Sequence, residues 1–187
     1  MNYPKGIRIK NNKSINYANR GMTLENDINQ TNEYYKEIEK AIIYKRPTPI
    51  QVTKVHYPSQ GKVIIKEAYF LQPSTLDYCG IYNGKYIDFD VKETTSKTSF
   101  PIKNIHPHQL KHIEQIIRHK GIAFLIIRFT KLNETYLLFA KELIEYINKT
   151  DKASIPYNYI KDKGHIVEIK YSPRLDYLKI IEEKLEE

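Results

Sequence analysis

The spacing of apolar residues changes several times along the chain, and each change marks an element. Leu24, Ile28 and Ile38 recur at a helical spacing between Thr23 and about Lys40, and Thr23, Glu25 and Asp27 suit a helix start. Ala41 to Tyr44 is a short β-type run stopped by Lys45-Arg46-Pro47-Thr48-Pro49. The runs Ile50 to Tyr57 and Lys62 to Phe70 flank the turn cluster Pro58-Ser59-Gln60-Gly61 and predict a hairpin. Leu76 to Tyr82 and Lys85 to Lys92 flank Asn83-Gly84, the preferred two-residue type I′ turn. Lys103 to Lys120 carries Leu110, Ile113, Ile116 and Ile117 at helical spacing, with Gly121 placed as its C-terminal stop. Ile122 to Phe129 is apolar enough for a buried strand, and Tyr136 to Ala140 returns beside it across Leu132-Asn133-Glu134. A helix over Lys141 to Lys149, a β-type run from Ile166 to Tyr171 and a charged helix from Leu175 to Glu187 complete the pattern. This order predicts an α/β fold with a mixed sheet.

Charge adds an arm and a class of partner. Residues 1–20 hold Lys5, Arg8, Lys10, Lys13 and Arg20, no acid and no apolar periodicity, so they read as a flexible basic arm. The remainder, 21–187, has the length of one domain with its own core. The net charge of +8 points toward a polyanion such as nucleic acid. The arm is either a phosphate-contacting element or a solvated tail. The hairpin over residues 50–70 is likewise either a grip on nucleic acid or a plain edge hairpin; Lys54, Lys62 and Lys66 sit on it. The lone cysteine, Cys79, rules out an intrachain disulfide and a cysteine-based zinc site. The longest apolar run is far short of a membrane span, and the start of the chain lacks a signal-peptide core, so a reducing, cytoplasmic setting is the expectation.

Candidate chemistry lies on the second hairpin. A two-residue turn at Asn83-Gly84 pairs Tyr82 with Lys85 and, stepping outward, Asp77 with Asp90 and Thr75 with Lys92. Alternation puts Asp88, Asp90 and Lys92 on one face and Tyr78, Tyr82, Ile87, Phe89 and Val91 on the other. Two carboxylates directly opposite one another cost roughly 0.2–1 kcal/mol in a sheet. A hard divalent cation removes that cost, because Mg²⁺ takes carboxylate oxygens together with water and substrate phosphate. A lysine beside such a site binds phosphate oxygen and offsets transition-state charge. The competing reading is a solvated charged face, with Asp88 and Asp90 paired to surface lysines.

Asp77 … Asp90-Val91-Lys92 resembles the PD-(D/E)xK nuclease motif. The wider text is more specific: Arg20-Gly21-Met22-Thr23-Leu24-Glu25, Lys45-Arg46-Pro47-Thr48-Pro49, Pro73-Ser74-Thr75-Leu76-Asp77-Tyr78, Lys92-Glu93-Thr94, Thr98-Ser99-Phe100-Pro101, His108-Gln109 and Pro173-Arg174-Leu175-Asp176-Tyr177-Leu178, in that order. Together these resemble the RecU family of Holliday junction resolvases, from about residue 19 to residue 180. The resemblance implies a restriction-endonuclease-like mixed sheet flanked by helices, with residues 50–70 as a projecting stalk. It implies a homodimeric, Mg²⁺-dependent endonuclease, with Mn²⁺ as a substitute ion, that nicks four-way DNA junctions symmetrically in recombination and repair and leaves 5′-phosphates. It implies Thr75, Asp77, Asp90 and Gln109 as magnesium positions, Lys92 as transition-state stabiliser and Glu25 as a further catalytic acid. DNA contacts are expected at Arg20, Lys54, Lys62 and Lys66, and a RecA-type recombinase and a branch-migration helicase are expected partners, at the nucleoid. The second acid is Asp90 where such relatives often carry glutamate, and the arm is shorter than in many of them.

Read from the residues alone, Gln109 is an exposed helix position, and His106, His108, His112 and His119 are surface or phosphate-contacting histidines. Glu25 then serves its helix terminus, and Asp88 and Glu93 are surface or supporting groups. Two rivals to a junction nuclease stand beside it: a restriction-type duplex endonuclease on the same fold, and a non-catalytic junction- or recombinase-binding protein.

Overall fold

A computed structural model describes residues 23–58, 61–71 and 75–186. Helix α1, Leu24–Glu37, starts where expected, with the Thr23 hydroxyl accepting the Asn26 N–H at 3.3 Å. Strands β1 (Ile42–Lys45), β2 (Ile50–His56) and β3 (Ile64–Phe70) come next, then β4 (Tyr78–Tyr82) and β5 (Lys85–Thr94). After these come β6 (Ser99–Pro101), helix α2 (Pro107–Arg118), β7 (Ile122–Phe129), β8 (Glu134–Phe139) and α3 (Ala140–Lys149). The described chain closes with β9 (Ser154–Pro156), α4 (Tyr157–Lys163), β10 (His165–Ile166) and α5 (Tyr177–Glu186).

Six strands form the main sheet in the order β1-β4-β5-β7-β8-β10. The β5–β7 pair is parallel and every other pair antiparallel, so the sheet is mixed, as expected. Apolar clusters cover both faces. One gathers Leu24, Ile28 and Tyr35 of α1 and Tyr177, Leu178 and Ile181 of α5 over Tyr78, Ile87, Phe89 and Phe124. The other gathers Ile113 of α2 and Leu143 of α3 over Ala123, Leu125 and Ile127. Strand β7 serves both clusters through alternate residues, which is why it reads as an unbroken apolar run.

Helix α1 is tied to the sheet by a buried ionic network. Asp27 Oδ2 accepts from Arg128 Nη2 at 2.6 Å, and Asp27 Oδ1 accepts from Arg174 Nε at 3.1 Å. Arg128 also donates to Thr135 Oγ1. A buried carboxylate needs such partners, and the network joins the first helix to β7 and to the segment before α5.

Two expectations need correction. The helix expected from Lys103 begins at Pro107; residues Ile102–Asn104 make one tight 3₁₀ turn, and Pro107, which has no N–H to donate, opens the helix proper. The strand expected over Ile166 to Tyr171 shrinks to His165–Ile166, followed by a single bridge between Ile169 and Leu175. The two-stranded sheet of β6 and β9 and helix α4 were not expected. The stalk hairpin is present: β2 and β3 pair only with each other, every residue of both is exposed, and the register shifts around Thr53. The basic arm, Arg20 included, lies outside the described residues.

Candidate active site

The Asn83-Gly84 turn has φ values of 47° and 70°, the left-handed geometry of a type I′ hairpin. Its ladder runs without a bulge from Tyr82↔Lys85 to Tyr78↔Phe89. On the other edge of β4, Gly80 lets β1 approach closely, since a Cβ there would sit 2.1 Å from the Ile42 carbonyl oxygen. Asp77 and Thr75 stand beyond the last rung, so neither is a ladder partner of Asp90 or Lys92. The Asp77 carboxyl nevertheless lies near enough to Asp90 for the Asp90 carboxylate to act on it directly. The two acids therefore meet through their side chains.

Asp88 and Asp90 meet α2 through His112 and Gln109, and both carboxylates are completely buried. The solvated-face reading is thereby overturned. Asp90 Oδ2 lies 2.7 Å from Lys92 Nζ and accepts from Gln109 Nε2 at 2.6 Å, while Oδ1 accepts the Val91 N–H. Burial pushes the Asp77 carboxyl up to about 6, reinforced by the neighbouring Asp90 carboxylate; Lys92 and Lys45 pull it back down.

Gln109 is buried, not exposed, and both ends of its amide are engaged. Its Oε1 accepts the His106 N–H at 3.1 Å, capping α2, and its Nε2 holds Asp90. The group it turns toward Asp90 is thus a donor, and its oxygen serves the helix.

Of the two places open to Asp88, surface or supporting, the structure gives the supporting one. Arg46 grips both its oxygens, at 3.0 Å and 2.9 Å, and His112 Nε2 and Tyr86 Oη meet Oδ2 at 2.8 Å and 3.0 Å. His112 is accordingly half-buried and paired, while His106 and His108 stack on one another. Only the i, i+3 spacing of Gln109 and His112, matching Asp90 and Asp88 on one strand face, signalled this.

Glu25 is exposed and paired to Lys45 at 2.6 Å. Because Lys45 acts on Asp77, Glu25 stands at the rim of the site. Glu93 accepts the Leu24 N–H and so anchors the start of α1. Thr75 is half-buried two residues before Asp77. Lys54, Lys62 and Lys66 are exposed on the stalk, Lys54 3.9 Å from Glu67. Cys79 is buried.

No group of three or more His, Cys, Asp or Glu residues suited to a metal occurs among the described residues. Two carboxylates that cannot comfortably ionise together, with a lysine against one of them, do fit Mg²⁺, which is held by one or two carboxylates plus water and phosphate.

Paired acids and a lysine at the centre of a mixed sheet define an α/β protein with a cation-seeking site. The chain belongs to the RecU family: the family described as Recombination protein U matches residues 19–183. The Holliday junction resolvase RecU of Geobacillus kaustophilus (strain HTA426) is 50% identical over 192 residues, spanning 97% of this chain and 96% of its own. That of Geobacillus sp. (strain WCH70) is 53% identical over 191 residues, spanning 96% and 95%. Among solved structures, Hjc, a Holliday junction resolvase of Archaeoglobus fulgidus, aligns at a TM-score of 0.43 and 9% identity, over 72% of this chain and 90% of its own.

Proposed function

We propose that this chain is a Mg²⁺-dependent Holliday junction resolvase, acting as a homodimer that nicks two opposed strands of a four-way junction. The observation that carries the reading is the meeting of Asp77 and Asp90 against Lys92, in a chain of the RecU family. Its relatives along nearly the whole length bear that resolvase name.

The chemistry a bound Mg²⁺ would supply is a more acidic attacking water and charge compensation at the scissile phosphate. Asp77 and Asp90 supply the carboxylate oxygens that hold it, with Thr75 as a further oxygen donor. Gln109 fixes the Asp90 carboxylate; to offer an oxygen of its own it must turn its amide over and release the α2 cap. Lys92 Nζ, now on Asp90, carries positive charge to the phosphate oxygen as negative charge builds there. Glu25 acts through Lys45 at the rim. The product is a nick with a 5′-phosphate. Two-fold symmetry of the junction calls for a two-fold dimer, which sets two such sites on two strands. The exposed stalk enters the junction, with Lys54, Lys62 and Lys66 toward phosphates, and Arg20 and the basic arm make further contacts there.

Among the described residues no helix is long and apolar enough to cross a membrane. The expected setting is the cytoplasm at the nucleoid, with a RecA-type recombinase and a branch-migration helicase as partners.

The test compares a four-way junction with linear duplex of the same arms, in Mg²⁺, Mn²⁺ or chelator, for wild type and Asp90→Asn. Metal-dependent nicking of the junction alone, lost in the variant, is expected. An uncut junction would refute the enzyme reading, and equal cutting of linear duplex would favour a restriction-type endonuclease.

A further inference from the structure

Asp77 lies one residue beyond the last rungs of the sheet. The β1–β4 ladder ends at Lys45↔Tyr78 and the β4–β5 ladder at Tyr78↔Phe89, so no rung of either holds residue 77. Two successive carbonyls there nonetheless have partners, and both partners belong to Arg46. Its backbone N–H donates to the Asp77 carbonyl at 2.7 Å, and its Nη1 donates to the Leu76 carbonyl at 2.8 Å. The same Nη1 also donates to Asp88 Oδ1, and Nη2 to Asp88 Oδ2, so the guanidinium holds both oxygens of buried Asp88. Asp88 lies two residues before Asp90 on the same face of β5, and Tyr86 and His112 complete its hydrogen bonding.

We propose that Arg46 is the positioning residue of the site: it ties the Leu76–Asp77 backbone to the strand carrying Asp90 and thereby sets the distance between the two metal-seeking carboxylates. The proposal rests on the function given above. A planar five-donor fork can span a carbonyl and a carboxylate at once, whereas a lysine is a single point of charge. Helix α2 backs the anchor, because it touches β5 twice, at Asp90 through Gln109 and at Asp88 through His112. Arg46 itself need touch neither metal nor phosphate.

Arg46 alone cannot be removed cleanly, since Asp88 would be left buried with its main partner gone. The informative variant is Arg46→Met with Asp88→Asn, which removes the clamp and the stranded charge together. Mn²⁺ binding to the DNA-free protein is read by electron paramagnetic resonance, alongside the Mg²⁺ concentration for half-maximal junction nicking and junction binding in chelator. Groups that orient metal ligands typically change metal affinity 10–100-fold. The double variant should therefore fold, bind junction in chelator like wild type, and need about 10–100-fold more of either ion. A role confined to satisfying Asp88 would leave metal affinity unchanged, and that result overturns the proposal. Loss of junction binding with unchanged Mn²⁺ affinity would make Arg46 a DNA-binding residue and overturn it equally. Should the double variant melt below the assay temperature, Arg46→Lys takes its place; it keeps charge beside Asp88 and should still lose about 10-fold in Mn²⁺ affinity, parity with wild type being the refuting result. Wild type that neither binds Mn²⁺ nor cuts would instead refute the functional reading itself.

Discussion

Replacing Asp77 by asparagine should abolish nicking and at the same time stabilise the metal-free protein at neutral pH. The Asp77 carboxyl sits at about 6 in the fold against an ordinary value of 3.8, because it is partly buried beside Asp90. The folded state therefore binds this proton more tightly than the unfolded chain does. The resulting stability is fully present below the ordinary value and is lost as pH rises through about 6. A shift of this size corresponds to roughly 3 kcal/mol at about 1.4 kcal/mol per unit. Asp77 is only half-buried, so solvent screening reduces the figure to about 1–2 kcal/mol. Asparagine keeps the shape and removes the charge. Its melting temperature at pH 7.5 should exceed that of wild type by about 2–8 °C, at about 2–4 °C per kcal/mol for a chain of this size. Near pH 4, where wild type also carries the proton, the gap should close. Adding Mg²⁺ at neutral pH should raise wild type more than the variant. Thermal denaturation across pH in chelator checks this directly. An asparagine variant no more stable than wild type at pH 7.5, or one whose advantage persists undiminished at pH 4, would refute the description of the acids as a repelling pair.

Arg128→Met strips one partner from buried Asp27 and should cost about 3 kcal/mol, the lower end for breaking a buried pair because Arg174 remains; denaturant melts measure it. Gly80→Ala forces a Cβ within 2.1 Å of the Ile42 carbonyl and 2.7 Å of the Ile43 Cα, so β1 must move; a loss of about 3 kcal/mol or more, read in the same melts, is expected. Neutralising Lys54, Lys62 and Lys66 together should leave stability within about 0.5 kcal/mol, since all three are exposed. In those variants the log–log slope of junction affinity against salt should flatten by up to about 3, at about 0.9 for each phosphate no longer neutralised.

The β4–β5 hairpin was legible because its information is local. Asn-Gly accepts positive φ at both turn positions, the turn sets register, and register with alternation puts the acids on one face. What covers that face is not local. Helix α2 brings Gln109 and His112 from about twenty residues downstream, and Arg46 arrives from the other side at the edge of a proline-bounded segment. Alternation alone therefore left Asp88 between surface charge and supporting group, and only the fold shows which partners hold it. Arg128 was hidden for a related reason: within the apolar run of β7 it reads as an interruption, and its partners Asp27 and Thr135 come from other elements of the fold. The small sheet of β6 and β9 left no periodic trace, since each strand has three residues and ends in proline. Helix α2 began late because Pro107 starts it.

The stalk separates two kinds of constraint within one chain. Its two strands pair only with one another and lend no residue to either apolar cluster. A lone two-stranded hairpin of this kind has little stability of its own and adds little to the rest. Substitutions in the body are judged first by whether the protein folds. Those on the stalk escape that filter, so its side chains are free to change with whatever it touches, and two descendants of one ancestor can keep the same catalytic body while diverging in what they hold.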